Sequence, residues 1–289
     1  MTTQHQERDE NRKNEAAMSK AIIIAGGTDG IGRAVADILL ERGDRVTILG
    51  TSHGKGRTFV EQGAETPGKA RFIHADLSTI AGNRAAIETI REAHDAIDAL
   101  ILCARFVRSK RHVTADGLED NFALNYLSRY LFSYGLETEL ASAPNAVVVN
   151  ISGPGGELSL IRWDDLQLER GYDGVAAMFQ AGKLNDLLGV AFAGRPNPEK
   201  PRYVLFHPDS TATSFAGELD AEMRAHVEAL KRSAKPASAA AVPIIRLIDQ
   251  PPDESLSAFI LEREIDVKAA SFDPGAARRL DQLTKQIIS

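Results

Sequence analysis

A chain of 289 residues that is 43% apolar can bury a substantial core, and its length fits one large α/β domain better than two small ones. The formal net charge of -6 and the pI near 5.7 disfavour nucleic acid as a partner, because phosphate binding needs clustered Lys and Arg. The single cysteine, Cys103, excludes an intramolecular disulfide, and the seven histidines include no i, i+4 pair for a metal. We therefore expect a small-molecule partner.

The first residues, 1–17, are polar and charged and contain no apolar stretch. This composition is typical of neither a signal peptide nor a membrane anchor. We expect a disordered tail over 1–17 and a single domain over 18–289, in a cytoplasmic protein that does not bind membranes.

Short apolar runs alternate with longer amphipathic stretches along the chain. The apolar runs predict buried parallel strands at 21–25, 45–49, 71–75, 99–103, 146–151 and 203–206. Helical periodicity predicts crossover helices at 31–42, 81–93, 118–140, 175–192 and 217–231. The remainder predicts a mobile or partly helical stretch at 233–242, an edge strand at 258–265 and a closing helix at 274–288. This alternation predicts an α/β fold with a doubly wound parallel sheet of Rossmann type.

The segment AGGTDGIG at 25–32 follows the first strand and opens the first helix. Glycine is needed where the backbone turns sharply and a pyrophosphate approaches closely, and a helix N-terminus offers N–H groups to the anion. An ordinary strand-to-helix turn is the alternative, but the context favours a dinucleotide site. The candidate cofactor-binding residues of this turn are Gly26, Thr28, Asp29, Gly30, Ile31 and Gly32.

Several motifs together resemble the short-chain dehydrogenase/reductase family, most closely its retinol-dehydrogenase-like branch. The glycine spacing resembles Thr-Gly-x-x-x-Gly-x-Gly, and Asp76-Leu77 resembles the adenine-contacting Asp-Leu. LCAR at 102–105 stands where Asn-Asn-Ala-Gly is usual, and HPDSTAT at 207–213 resembles His-Pro-Gly-x-Val-x-Thr. Asn125 in NYLSRYL resembles the helix asparagine of the catalytic tetrad. The resemblance spans residues 20–289 and implies further cofactor contacts from Asp76, Leu77, Cys103, Ala104, Pro208 and Thr213.

The end of the second strand bears on the choice of cofactor. An Asp or Glu there would bind the adenosine ribose diol of NAD, but GTS at 50–52 carries no carboxylate. Thr51 and Ser52 can donate hydrogen bonds to a 2′-phosphate, and positive charge is nearby in His53, Lys55 and Arg57. NADP(H) is therefore favoured over NAD(H), although Asp29 counts the other way.

The catalytic group of the family is broken at two positions. In the family, a serine and a tyrosine hydrogen-bond the reacting carbonyl, and a lysine four residues after the tyrosine assists it. FQAGK at 179–183 places Phe179 in the tyrosine position and keeps Lys183. The strand ending VNISG at 149–153 puts Gly153 in the serine position and Ser152 one residue early, pointing elsewhere. An engineered Tyr-to-Phe change would account for Phe179, but not for Gly153 or Arg105.

Three residues remain as candidates for catalysis. Lys183 can hold the nicotinamide ribose without a tyrosine, and Asn125 can hold a water or neighbouring backbone, although both residue types are commonly solvated on helices. Arg105 replaces a cofactor-side glycine with a guanidinium that can hold an anionic oxygen, pair with a cofactor phosphate or swing into solvent. Because losing a general acid costs about 10²–10⁴ in rate, ordinary ketone reduction is disfavoured.

The sequence favours an NADP(H)-dependent reductase with an atypical active site in specialised metabolism, such as antibiotic biosynthesis. Its substrate would need little proton donation, as an iminium ion, an enone or a hydroxylated aromatic ketone does, and residues 209–231 would cover it. A dinucleotide-binding scaffold for a non-redox cyclisation or isomerisation is one alternative, and a non-catalytic nucleotide-binding protein is another. Family members commonly pair through two long helices, here 118–140 and 175–192, so we expect a homodimer or homotetramer.

Overall fold

The computed structural model describes residues 19–196, 201–212 and 217–289. The predicted tail at 1–17 and the candidate cofactor residue Thr213 lie outside these residues. Within the described part of the chain, no helix is both long enough and apolar enough to cross a lipid bilayer.

The chain forms an eight-stranded sheet in the order β10-β9-β6-β5-β4-β1-β2-β3, in which every pairing except β10 with β9 is parallel. The strands β1 to β6 lie within a few residues of their predicted bounds. The predicted edge strand at 258–265 is instead a hairpin, with β9 inside the sheet and only the short β10 at the edge. The bounds are β1 (Ala21–Ala25), β2 (Arg45–Gly50), β3 (Lys69–His74), β4 (Ala99–Leu102), β5 (Val147–Ile151), β6 (Arg202–His207), β9 (Leu256–Ile260) and β10 (Arg263–Glu264), with β7 (Thr211–Ala212) paired to β8 (Lys235–Pro236) outside this sheet.

Helices cover both faces of the sheet, so the predicted Rossmann-type, doubly wound α/β fold is confirmed. The bounds are α1 (Gly30–Glu41), α2 (His53–Gly63), α3 (Ile80–Arg91), α4 (Asp120–Phe122), a π-helical turn (Ala123–Leu127), α5 (Ser128–Gly135), α6 (Glu137–Ala141), α7 (Gly174–Ala193), α8 (Ala221–Ser233), α9 (Ala237–Asp249) and α10 (Pro274–Ile288). The helix α2 was not predicted. The stretch at 233–242, expected to be mobile or partly helical, contributes most of its length to α9.

The central strands are buried on both faces because they carry continuous β-branched and aliphatic runs rather than alternating ones. One core lies between the sheet and the helices α1 and α9, and the other lies between the sheet and α3, α5, α7 and α10. This packing fixes the carboxyl ends of β1, β4, β5 and β6 at one edge, where the loops that follow them meet.

The closing helix α10 packs across α5 and α7, the two helices expected to form a dimer interface. The Tyr126 hydroxyl lies 2.6 Å from Thr284 Oγ1, and the Tyr130 hydroxyl donates to Asp281 Oδ1 at 2.8 Å. Because α10 occupies this face within the chain, pairing of two copies through it would require α10 to move. Association into a dimer or tetramer stays a prediction, and the structure gives this route no support.

Candidate active site

The candidate site lies at the carboxyl ends of the strands, where the sheet order reverses between β1 and β4. In open parallel sheets, ligands bind in the crevice at such a switch point. The first βα turn opens there with Gly26 at φ 83° and Gly30 at φ 55°, in the left-handed region that favours glycine. A Cβ at Gly32 would lie 2.4 Å from the Gly26 carbonyl oxygen, and one at Gly26 would lie 2.5 Å from the Ala104 nitrogen. The turn can therefore hold no side chain at these positions, and its backbone stays open to a phosphate.

Two candidate cofactor residues in this turn have structural partners. Asp29 caps α1, and its Oδ1 accepts the Gly30 N–H at 2.7 Å. Its Oδ2 forms a salt bridge with the Lys55 ammonium. Thr28 packs against Gly50, where a Cβ would come within 2.7 Å of its hydroxyl oxygen. The negative charge that counted against NADP is therefore neutralised by a lysine from α2.

The residues that follow β2 are arranged by α2, which begins at His53. Ser52 is its N-cap, and its hydroxyl accepts the Lys55 N–H at 3.3 Å. The His53 ring stacks on the His74 ring with centroids 3.8 Å apart, while Thr51 is exposed. The N-terminal dipole of α2 thus lies beside Thr51 and Ser52 and adds to the positive potential there.

The other expected cofactor residues lie around the same crevice. Asp76 is exposed and its Oδ1 accepts the Ser78 N–H at 3.0 Å, while Leu77 is buried beneath it. Cys103 continues the sheet by donating its N–H to the Ala25 carbonyl at 2.8 Å, and Ala104 packs on Gly26. Burial raises the pKa of the Cys103 thiol to about 12, so the thiol stays protonated at neutral pH. Pro208 is buried directly after β6.

Lys183 does not face this crevice, which differs from the expectation. Its Nζ lies 3.0 Å from Asp186 Oδ2, and both side chains are 0% exposed. The ammonium also lies 4.8 Å from the centre of the Phe272 ring, and the same Asp186 oxygen accepts the Gly155 N–H at 3.0 Å. Burial raises the pKa of Asp186 to about 6. The charge of Lys183 is therefore satisfied inside the protein, because an aspartate three residues later offers it a buried partner.

A second pair of residues with the same spacing, Met178 and Gly182, lies on the crevice side of α7. The Arg105 Nη2 contacts Met178 Sδ at 2.7 Å, and a Cβ at Gly182 would lie 3.7 Å from the Gly153 carbonyl oxygen. Phe179 is beside this pair and 53% exposed. Neither pair offers a phenol, and the pair that faces the crevice offers no ammonium either.

The position expected for the catalytic serine is open. A Cβ at Gly153 would meet one side chain within 4 Å, the Cδ2 of His207 at 3.7 Å. Ser152 Oγ is buried and has no hydrogen-bond partner among the described residues, while the Ser152 N–H donates to the Phe206 carbonyl at 3.0 Å. That its hydroxyl points away from the crevice stays a prediction. The His207 ring therefore lies beside the position expected for the serine.

Two arginines lie close to this opening. Arg105 is exposed, yet desolvation by surrounding protein lowers its pKa, as expected for a side chain on the wall of a crevice. Arg129 is buried: it donates to the Ile151 carbonyl at 2.7 Å and the Ala104 carbonyl at 3.3 Å, and it also contacts Asn150 Oδ1. Burial lowers the pKa of Arg129 to about 10. In the described part of the chain its hydrogen-bond acceptors include no carboxylate, so it gives the crevice floor a positive charge.

Asn125 lies in the π-helical turn Ala123–Leu127 and is buried. Its Nδ2 donates to the Phe106 carbonyl at 3.2 Å, and its buried Oδ1 accepts no hydrogen bond from the residues that the structure describes. Its own carbonyl accepts Asn185 Nδ2 at 2.8 Å. Asn125 thus links α7 to the loop after β4, and its unpaired oxygen can accept a hydrogen bond from a bound water.

The segment expected to cover the substrate, 209–231, is described except for 213–216. Gly217 packs tightly on Val107, and the Ser109 N–H donates to the Glu218 carbonyl at 3.0 Å. Gly217 and Glu218 therefore lie against the loop that carries Arg105. That the segment covers the substrate stays a prediction.

The family model for short chain dehydrogenases matches residues 20–164, half of the chain. The chain belongs to the short-chain dehydrogenase family. The match ends before α7, so it does not decide whether Phe179 with Lys183 or Met178 with Gly182 occupies the tyrosine and lysine positions.

Curated relatives support the retinol-dehydrogenase-like branch of this short-chain dehydrogenase family. The chain is 31% identical to retinol dehydrogenase 12 of Mus musculus over 171 residues, 58% of this chain and 54% of the relative. It is 29% identical to human polyprenol dehydrogenase over 168 residues, 56% of this chain and 51% of the relative. The chain thus spans about half the length of the curated relatives it matches.

Solved short-chain dehydrogenases have the same fold. A dehydrogenase from Burkholderia cenocepacia in complex with NADP superposes with a TM-score of 0.64 at 19% identity, covering 84% of this chain and 96% of that one. A dehydrogenase from Sphingobium yanoikuyae in complex with NADPH gives 0.63 at 18% identity, covering 91% and 95%.

Sequence reasoning missed four features of this site. The helix α2, the partner Asp186 and the position of Met178 needed the tertiary structure. His207 was noted only as part of a motif, and its place beside Gly153 depends on the pairing of β5 with β6.

Proposed function

We propose that this short-chain dehydrogenase is an NADP(H)-dependent reductase of a small molecule, with an active site that lacks the serine and tyrosine of its family. The observation that carries the proposal is the first βα turn, where glycines stand at positions that admit no Cβ. Such a turn at the switch point of a parallel sheet suits a dinucleotide pyrophosphate. A role in specialised metabolism is part of the proposal, since an unusual substrate accounts for the unusual site.

The preference for NADP(H) rests on the end of β2. Thr51 and Ser52 offer hydroxyls and no carboxylate, and the N-terminus of α2 begins there. The salt bridge between Lys55 and Asp29 removes the repulsion that an isolated aspartate would exert on a 2′-phosphate. Each of these features favours an anion beside the adenosine ribose.

Calorimetric titration of the full chain with NADPH and with NADH tests this preference. We expect tighter binding of NADPH, and equal affinities would contradict the assignment. The substitution Thr51→Asp should invert the preference, because a carboxylate can accept hydrogen bonds from the ribose diol and repels the 2′-phosphate. An acid introduced at an exposed position elsewhere, as in Gln286→Glu on α10, serves as the matched control for the change in net charge.

The binding partner of the Lys183 ammonium can be tested in the same way. If its ammonium stays with Asp186, Lys183→Met leaves NADPH affinity unchanged, and if it turns to the ribose, affinity falls. The same titration with this variant separates the two arrangements, and the burial of the pair favours the first.

Two other functions remain as outcomes of the test. The opening at Gly153 and the absence of a phenol on the crevice side of α7 are compatible with a non-redox cyclisation or isomerisation beside a bound nucleotide. Substrate turnover without oxidation of NADPH would favour that function. Binding of the nucleotide with no turnover of any probe would favour a non-catalytic nucleotide-binding protein.

A further inference from the structure

The crevice holds a group of donors that the family pattern does not include. His207, Arg105 and Arg129 surround the opening at Gly153, and none of them belongs to the serine, tyrosine and lysine set. The Cδ2 of His207 lies 3.7 Å from the position of a Cβ at Gly153, and Nε2 is bonded to Cδ2. Nε2 is thus one bond away from the His207 atom that is nearest to this position.

The tautomer of His207 is set by its own turn. Its Nδ1 accepts the Asp209 N–H at 3.1 Å, and Asp209 is in the left-handed region at φ 66°. The backbone carbonyl of His207 accepts the Leu261 N–H at 2.9 Å, which fixes the end of β6. Because Nδ1 is an acceptor, the proton of the neutral ring is on Nε2, and Nε2 is a hydrogen-bond donor.

The charged groups that act on His207 are Arg105, Lys235 and Asp209. Desolvation and the charge of Arg105 lower the pKa of His207, so the ring is neutral at neutral pH. A neutral imidazole whose only proton is on Nε2 donates a hydrogen bond well, but it releases that proton only to a very strong base. The neutral His207 ring therefore stabilises a negative oxygen without protonating it.

We propose that His207 Nε2 and the Arg105 guanidinium bind the reacting oxygen of the substrate, and that the substrate is a conjugated carbonyl compound, a quinone or an enone, whose reduction leaves a delocalised oxyanion. The inference rests on the proposed function. Bound NADPH would supply a hydride, which an enone would take at its conjugated carbon and a quinone at one carbonyl oxygen. The displaced electron pair would then rest on the remaining oxygen as an enolate or a phenolate, where His207 Nε2 and Arg105 would hold it. A proton from water completes the reduction after the oxyanion leaves the site.

The same charges separate the candidate substrates. An iminium ion is a cation and would be repelled by Arg105 and by the buried Arg129. A simple ketone becomes a localised alkoxide, which needs the proton that this site does not supply. A phenolate or an enolate is stable without that proton, and the arginines favour it.

The first test uses binding and not activity. The probe is 4-nitrophenol, whose phenolate has its own absorbance, titrated into the full chain with and without NADP⁺. We expect the bound probe to ionise at a lower pH than the free probe. His207→Phe should weaken phenolate binding roughly tenfold to hundredfold, since a hydrogen bond to a charged group contributes about that much. His207→Gln keeps an N–H near the Nε2 position and should retain most of the affinity.

The second test follows oxidation of NADPH with menadione, 2-cyclohexenone and cyclohexanone. We expect turnover of menadione or 2-cyclohexenone and none of cyclohexanone, with kcat lowered about 10²-fold by His207→Phe, as for the loss of other oxyanion donors. His112→Phe, at an exposed histidine outside this cluster, is the control. If NADPH does not bind at all, the proposed function fails. If NADPH binds but phenolate gains nothing from His207, or cyclohexanone is the preferred substrate, this inference is overturned.

Discussion

The ion pair between Lys183 and Asp186 provides a prediction that separates a structural lysine from a catalytic one. Both side chains are 0% exposed and 3.0 Å apart, and Asp186 also accepts the Gly155 N–H. Replacing Asp186 by alanine strands a buried ammonium. Removing one partner of a buried pair costs about 3–5 kcal/mol.

The assay is urea unfolding of Asp186→Ala and the parent chain at pH 8, two units above the Asp186 pKa of about 6. The double change Lys183→Met with Asp186→Leu should recover stability, since buried pairs can be replaced by apolar residues of similar volume.

Glu88→Ala is the matched control. Glu88 pairs with Arg91 at the same i, i+3 spacing, but the two side chains are 65% and 40% exposed. An exposed pair contributes about 0–1 kcal/mol. If Asp186→Ala costs no more than Glu88→Ala, or if the double change is as unstable as the single one, the reasoning about this buried charge is refuted.

Four further predictions concern the crevice. Gly32→Ala should abolish NADPH binding in a fluorescence titration, because its Cβ would lie 2.4 Å from the Gly26 carbonyl, whereas Gly54→Ala, with nothing within 4 Å, should not. Phe179→Tyr, alone or with Gly153→Ser, should not reduce cyclohexanone, as followed by the absorbance of NADPH. The triple variant with Met178→Tyr, Gly182→Lys and Gly153→Ser should reduce it. Turnover by Phe179→Tyr alone would contradict this. Arg105→Ala should raise the barrier of menadione reduction by about 2–4 kcal/mol, and so lower kcat, with little loss of NADPH affinity. Arg105→Lys should recover part of the lost kcat. A loss confined to NADPH affinity would instead assign Arg105 to the cofactor. His207 should titrate by NMR below its ordinary pKa of about 6.5, and Arg105→Ala should raise that pKa. Because the pKa of His207 is lower in the folded than in the unfolded chain, the unfolded chain binds this proton first as pH falls. The contribution of His207 to the free energy of unfolding is therefore lost as pH falls below about 6.5.

The strand and helix pattern was predicted well where burial alone decides it. β1, β5 and α10 are continuous apolar runs or strongly periodic segments, and their bounds agree with the structure to within a residue. The helix α2 was missed because HGKGRTFVEQG contains three glycines and few apolar residues, and only Gly56, Phe59 and Gly63 are buried. Its contact with β3 supplies what its own propensity lacks.

The candidate site also has parts that the sequence predicted and parts that it did not. The phosphate turn could be predicted because its chemistry lies in eight consecutive residues whose spacing has few other uses. The direction of Lys183 could not, because helix spacing places it on the same side as Phe179 while the buried Asp186 and Phe272 draw its ammonium into the core. The place of His207 in the site could not be predicted, because it depends on contact with Gly153, 54 positions earlier in the chain.

The sequence by itself therefore determined the α/β class, the family and the dinucleotide turn, since each is a local pattern of burial or spacing along the chain. Only the tertiary structure decided which side chains face the crevice. Strand pairing brings His207 beside Gly153, and folding pairs the Lys183 ammonium with the buried Asp186. The direction of a side chain is fixed by the partners that satisfy its charge or hydrogen bonds, and those partners come from parts of the chain that only folding brings together.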